Sequence, residues 1–178
     1  KRILSSRVDS AQFLLEQCRL KDIHLSAFIS ASATGYYGAV TSDKIFIEED
    51  APGEDFLAEV CKAWEAKALD FKTQAKRVVM LRTSGVLAKE AGMLPELKEP
   101  IDKNVGSPLG SGKQYVPWIH VEDLCEMYIY AIENESINGV YNAVAPEHIT
   151  NKQFVKKLAR LYGKRIWFPK VPTLMLKV

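Results

Sequence analysis

Apolar residues in this chain follow two rhythms in turn. Residues 5–19 place Val8, Ala11, Leu15 and Cys18 three or four apart, which collects them on one helix face, with Ser5 or Ser6 available as the N-cap. Residues 25–32 then run apolar and small without alternation, the pattern of a strand covered on both faces in a parallel sheet. Residues 33–55, rich in Gly, Tyr, Ser and acids, predict a long loop, and loops of this length within compact domains usually carry function. A helix is expected over 56–73, with Leu57, Val60, Trp64, Ala68 and Phe71 on its inner side, followed by a buried strand over 78–83. Pro95, Pro100, Pro108 and the stretch Gly106-Ser107-Pro108-Leu109-Gly110-Ser111-Gly112 predict loops from 88 to 114.

Beyond them a short strand at 115–119 leads into a helix over 121–134, with Val121, Leu124, Cys125, Tyr128 and Ile132 facing inward. A strand at 139–145 follows. Thr150 then caps a helix carrying Phe154, Leu158 and Leu161, which Gly163 ends. A last short strand is expected at 166–168 and an apolar helical start at 172–178. Alternation of this kind implies an α/β layered fold around a mainly parallel sheet.

Composition narrows the function little. Of 178 residues 47% are hydrophobic, enough for a sizeable core, and 24 basic against 22 acidic side chains leave a net charge of +2. That near-neutrality gives no case for a nucleic-acid or anionic-membrane partner. No apolar run approaches the ~20 residues of a membrane span, and no signal peptide opens the chain. Cys18, Cys61 and Cys125 are scattered and odd in number. They read as reduced structural thiols of a cytoplasmic protein, without metal-ligand spacing. Lys1 in place of an initiator Met, and the abrupt stop at Val178, predict a chain truncated at both ends.

Four segments in order carry a family resemblance. Ser30-Ala31-Ser32-Ala33-Thr34-Gly35-Tyr36-Tyr37-Gly38 resembles the strand-end serine motif of extended short-chain dehydrogenases/reductases. Leu81-Arg82-Thr83-Ser84-Gly85-Val86-Leu87 resembles their next strand. Trp118-Ile119-His120-Val121-Glu122-Asp123-Leu124 and Tyr141-Asn142-Ala143 resemble the two segments after it. With Asp55-Phe56-Leu57-Ala58-Glu59-Val60-Cys61, Trp64-Glu65 and Pro108-Leu109-Gly110-Ser111-Gly112-Lys113-Gln114, the pattern is similar to the atypical epimerase family. That family is also labelled NAD-dependent epimerase/dehydratase or cell-division inhibitor. The resemblance covers the chain from about Ser6 onward.

The resemblance implies a Rossmann-like doubly wound parallel sheet whose N-terminal, glycine-rich half is missing, with a small C-terminal α/β substrate region. Residues 1–87 would be the later part of the dinucleotide-binding domain, and 88–178 a mixed substrate-binding region in which 121–145 return to the sheet. It also implies NADP(H) and a small-molecule substrate of the nucleotide-sugar kind, handled by redox or epimerase chemistry. No glycine precedes Gly35, so the GxxGxxG turn that holds pyrophosphate at a helix N-terminus is not in this chain.

The superfamily's tyrosine, with a lysine four residues on, works as acid/base on one helix face. Counting back from Glu65, which resembles the register mark four residues past that lysine, puts Leu57 and Cys61 at these positions. Leu57 has no proton to move and Cys61 no cation. Ser32 stands where the superfamily serine binds a substrate or nicotinamide group, and a small residue for tight packing is the alternative. Tyr36 or Tyr37 could replace the lost phenol, or simply pack over the loop. Ser30, Ala31, Arg82, Thr83, Ser84 and Gly85, at the ends of two strands, are the candidate cofactor contacts, though Arg82 could instead pair with Glu122 or Asp123.

Lys113, Gln114 and Trp118 are the substrate-side candidates, and His120 a candidate acid/base or a structural hydrogen-bonder. Lys113 could equally be a solvated loop cation. Asp123 is expected to serve its helix start. No metal site is expected. Two functions remain open: an NADP(H)-binding epimerase-like oxidoreductase, and a non-catalytic dinucleotide-binding regulatory protein lacking the Tyr/Lys pair. A pure protein-interaction domain has no positive signal in the sequence.

Overall fold

A computed structural model describes residues 2–103 and 106–165. The strand expected at 166–168 and the helical start at 172–178 lie outside the described residues. The chain divides into two compact units.

The first unit comprises Lys1–Ala39, Ile45–Ser84 and Glu122–Ala143. Helix α1 (Arg2–Leu20) leads to β1 (Phe28–Ala33), whose end turns through a 3-10 segment at Thr34–Tyr37. Helix α2 (Phe56–Leu69) continues as a 3-10 turn, Asp70–Thr73, before β2 (Val78–Thr83). Strand β3 (Gly85–Leu87), helix α3 (Met93–Asp102) and β4 (Trp118–His120) belong to the second unit, and α4 (Val121–Glu133) returns the chain to the first, where β5 (Gly139–Ala143) closes the sheet. That sheet is wholly parallel in the order β1-β2-β5. The central place of β2 follows from its sequence: Val78, Val79, Met80 and Leu81 are all at most 2% exposed, a run that only a strand covered on both faces can bury. Phe71 stacks on Phe28 within a cluster of Ala11, Leu15 and Val78. Arg77, at the start of β2, donates to the carbonyls of Ala131, Ile132 and Ile137, satisfying the open C-terminus of α4.

The second unit comprises Val40–Lys44, Gly85–Val121 and Val144–Val178. Here β3 and β4 pair in parallel, and α3 and α5 (Asn151–Leu161) share a core of Ile101, Ile149, Phe154, Leu158 and Ala159. Helix α5 begins with a capping box: the Thr150 hydroxyl accepts from Gln153 N while Gln153 Oε1 accepts from Thr150 N. Thr150→Ala removes that cap, and a loss of about 1 kcal/mol in unfolding free energy is expected, read as a lower urea-unfolding midpoint.

Several expectations are corrected. Helix α1 starts at Arg2, and Ser5 and Ser6 lie in its first turns, donating back to the Arg2 and Ile3 carbonyls rather than capping. Helix α3 occupies a stretch read as loop. Its Pro95 falls in the first turn, where an N–H has no helical acceptor to lose, and Leu94, Leu97 and Ile101 pack on the core from one face despite Pro100. The inner side of α4 is Leu124, Met127, Tyr128 and Ala131, leaving Cys125 and Ile132 exposed. Leu57 and Leu161, expected inside, are also exposed.

Candidate functional site

The carboxyl ends of β1 and β2 emerge side by side, Ser32 opposite Arg82 and Ala33 opposite Thr83. On the α2 side of these strand ends lies a buried polar cluster. The Ser32 hydroxyl donates to Glu65 Oε1 at 2.6 Å. Arg82 forks onto the same carboxylate, Nε to Oε1 and Nη2 to Oε2, both at 2.9 Å. The two side chains are only 3% and 9% exposed, so the pair is held out of water, where a bidentate geometry is needed to offset desolvation.

The third guanidinium nitrogen, Nη1, donates to the Tyr37 hydroxyl at 2.9 Å and to the Glu48 carbonyl at 3.0 Å. Tyr37 in turn has Asn142 Oδ1 at 2.7 Å and the Ile47 carbonyl at 3.1 Å as acceptors for its proton. Asn142 N donates to Glu48 Oε1, which ties β5 to the loop. The cluster thus joins all three strands, α2 and the loop.

Electrostatics follow this wiring. Burial opposes the charge on Arg82, but the hydrogen bonds to Glu65 and Tyr37 outweigh it and raise its pKa above the ordinary guanidinium value. Burial pushes the Tyr37 phenol up, against the hydrogen bonds from Arg82 and to Asn142, so it stays protonated at neutral pH. Tyr36 lies with its ring 3.4 Å beneath the Arg82 guanidinium. It is half-buried, and no described residue bonds its hydroxyl.

The long loop is clasped at its base. Gly53 packs so closely on Gly38 that a Cβ at residue 53 would stand 2.7 Å from the Gly38 Cα. Asp55 caps α2 by accepting from Ala58 N and also accepts from Ala39 N across the loop. These backbone bonds, Ala58 first, hold its carboxyl below the usual range.

The other predicted residues divide between the two units. In the first unit Ser30 donates to the Ala31 carbonyl, and Ala31 sits opposite Leu81. Thr83 Oγ1 donates to the Leu81 carbonyl and also pairs with Tyr128, while Ser84 Oγ donates to the Ala143 carbonyl. Arg82 pairs with Glu65, not with Glu122 or Asp123, because α2 and not α4 lays a carboxylate against the end of β2.

In the second unit a Cβ at Gly85 would stand 2.3 Å from Met93 Sδ, the far end of a side chain that could give way, and 3.2 Å from the Pro117 carbonyl. Lys113 is exposed, and Gln114 Nε2 donates to the Leu109 carbonyl. The glycine turn takes up the first N–H groups of α5, Lys152 N donating to Gly112 O and Asn151 N to Gln114 O. Trp118 packs on the core of that unit with Nε1 buried and, among the described residues, without a hydrogen-bond partner. His120 ends β4 on the solvent side, opposite Leu87.

Leu57 and Cys61 both lie beneath the turn after β1, 3.6 and 3.7 Å from where a Gly35 Cβ would stand. Burial, then the Glu65 charge, raises the Cys61 thiol, so it carries no charge of either sign near neutrality. Three participants had no role in the sequence reading: Glu65 as a ligand rather than a register mark, Asn142, and Glu48. Among the described residues no group of acidic, histidine and cysteine side chains could hold a metal ion, and no helix is long and apolar enough to cross a membrane.

The sequence profile of the NAD dependent epimerase/dehydratase family matches residues 1–143. The chain belongs to that family. Among curated members, YfhF of Bacillus subtilis is 36% identical over 175 residues, covering 98% of this chain and 57% of YfhF. The crystal structure of the human epimerase family protein SDR39U1 (isoform 2) with NADPH superposes with a TM-score of 0.87 at 27% identity, covering 98% of this chain and 58% of that one. That of the nucleoside-diphosphate sugar epimerase from Corynebacterium glutamicum gives 0.79 at 40% identity, over 90% of this chain and 34% of that one. The Rossmann-like α/β fold expected from the resemblance is therefore the fold of the family. The chain spans about half the length of the curated relatives it matches.

Proposed function

We propose that this family member contributes the nicotinamide-side half of a dinucleotide site in an epimerase-like oxidoreductase acting on a small, nucleotide-sugar-like substrate, with NADP(H) as the dinucleotide. The supporting observation is the register of β1 with β2, which brings two parallel strand ends out together, where ligands bind in open α/β sheets. The NADPH-bound human relative points the same way. The hydroxyls at these strand ends suit an uncharged ring or hydroxyl group: Tyr36 is half-buried, while Ser32, 3% exposed, donates to Glu65 and the Thr83 and Ser84 hydroxyls are spent on backbone carbonyls. Arg82, the one cation there among the described residues, is committed to Glu65 and Tyr37. Nothing in the set suits a pyrophosphate, so the phosphates would be held by other parts of the protein.

Tyr36 is the phenol best suited to proton transfer in this reading. Tyr37 is buried and bonded on both sides, and its role is to hold Arg82. The bound nicotinamide would supply the hydride chemistry, and these side chains would orient the ligand and keep water out. His120, Lys113, Gln114 and Trp118 are proposed for the substrate side. The division of labour follows, with residues 1–87 and 121–145 serving the dinucleotide and the rest the substrate.

Saturable quenching or enhancement of NADPH fluorescence by the full-length protein, with a rise in its melting temperature, is the expected result. No change in either overturns the proposal. The second reading, binding without turnover, is favoured by Leu57, which has no proton to move, and Cys61, whose thiol supplies no cation, both beneath the turn after β1. Hydride transfer at 340 nm on any member of a nucleotide-sugar panel rules it out.

A further inference from the structure

Lysines on α2 and α3 meet a carboxylate three or four residues away, Lys67 with Asp70 and Lys98 with Asp102, an arrangement that stabilises a helix surface. Helix α5 departs from it. Between Asn151 and Leu161 stand Lys152, Lys156, Lys157 and Arg160 and no acid. Lys157 is answered by Glu147 from the loop before the helix. Lys156 and Arg160 have no acidic partner among the described residues, and at a spacing of four their like charges repel.

These two exposed cations line a depression of about 320 Å³ together with His148 and Gln153, and the buried Ile149 forms part of its wall. Gln153 is oriented by the capping box. Its Oε1 accepts from both Thr150 N and the Thr150 hydroxyl, so its N–H groups are what it can offer a ligand. The depression thus collects two unpaired cations and two further N–H-bearing groups.

We propose that it is an anion site for a small phosphate-bearing molecule. Arg160 supplies forked donors to a phosphoryl group, Lys156 adds a point charge one turn earlier, and His148 and Gln153 complete the shell. A phosphoryl group carries three acceptor oxygens and about two charges, enough to answer both cations, whereas a single carboxylate answers one. The site stands apart from the strand-end reading, and none of Lys113, Gln114, Trp118 or His120 lines it.

The test follows the His148 ring signals of the full-length protein by NMR, assigned through their loss in His148→Gln. Inorganic phosphate or pyrophosphate, added at fixed pH, is expected to move them saturably, and sodium chloride of equal ionic strength is not. Lys156→Gln and Arg160→Gln should each weaken binding roughly tenfold. Lys156→Arg keeps the charge and should bind as before, as should Lys62→Gln, a change at an exposed lysine of α2. Relief of the repulsion should leave the melting temperature of Lys156→Gln unchanged or higher.

Movement that sodium chloride reproduces, or that survives both Gln variants, overturns the proposal. So does a lower melting temperature in Lys156→Gln, which would make the cation structural. Binding to duplex DNA or anionic vesicles through Lys156 and Arg160, with no response to either phosphate probe, would assign the patch to a macromolecule and overturn it as well.

Discussion

Glu65→Ala is expected to destabilise the protein by about 3–5 kcal/mol, the cost of leaving a buried charge without its partner. Arg82 is 3% exposed and would keep only Tyr37 and the Glu48 carbonyl as acceptors. Its charge could not be shed, because a guanidinium stays protonated far above neutral pH even without its partner. The matched replacement Glu65→Leu with Arg82→Met removes both charges, and it should recover most of the loss. Urea unfolding of both variants measures this. A double variant as unstable as Glu65→Ala would mean that the Tyr37 and Glu48 bonds, rather than the ion pair, hold the strand ends together.

Phe71→Ala is expected to cost about 3–5 kcal/mol by opening a cavity in the first unit. The ring is 1% exposed and stacks on Phe28, with ring centres 3.5 Å apart, among Leu15, Ala11 and Val78. Phe71→Leu keeps most of the volume and should lose less than half as much. Thermal or urea melts decide it, and equal losses for the two variants would show that the aromatic stack matters more than the filled volume.

Secondary structure was most legible where composition and burial coincide. The strand at 78–83 is as expected because its apolar run has no other stable place, and the helix over 56–73 ends as drawn with a 3-10 last turn. Helix α3 was not legible, since Pro95 and Pro100 signal a break locally while the decisive term, burial of Leu94, Leu97 and Ile101 together, is set by distant residues. The misjudged faces of Cys125 and Ile132 have the same origin: spacing fixes that a stripe exists, and packing fixes its phase.

At the site, Ser32 could be placed at a strand end from its motif alone. Its partner could not. Glu65 is 33 residues away in sequence, and only the crossover that lays α2 beside β1 and β2 brings it to Ser32 and Arg82. Asn142 was within reach, standing in a motif already noted, but a lone amide in a strand gives no hint of which side chain it will meet.

Asp55 serves two masters at once, closing the first turn of α2 through Ala58 and gripping Ala39 sixteen positions earlier. Initiation of that helix and the closing of the excursion before it therefore depend on one carboxylate, so a change at Asp55 is felt at both.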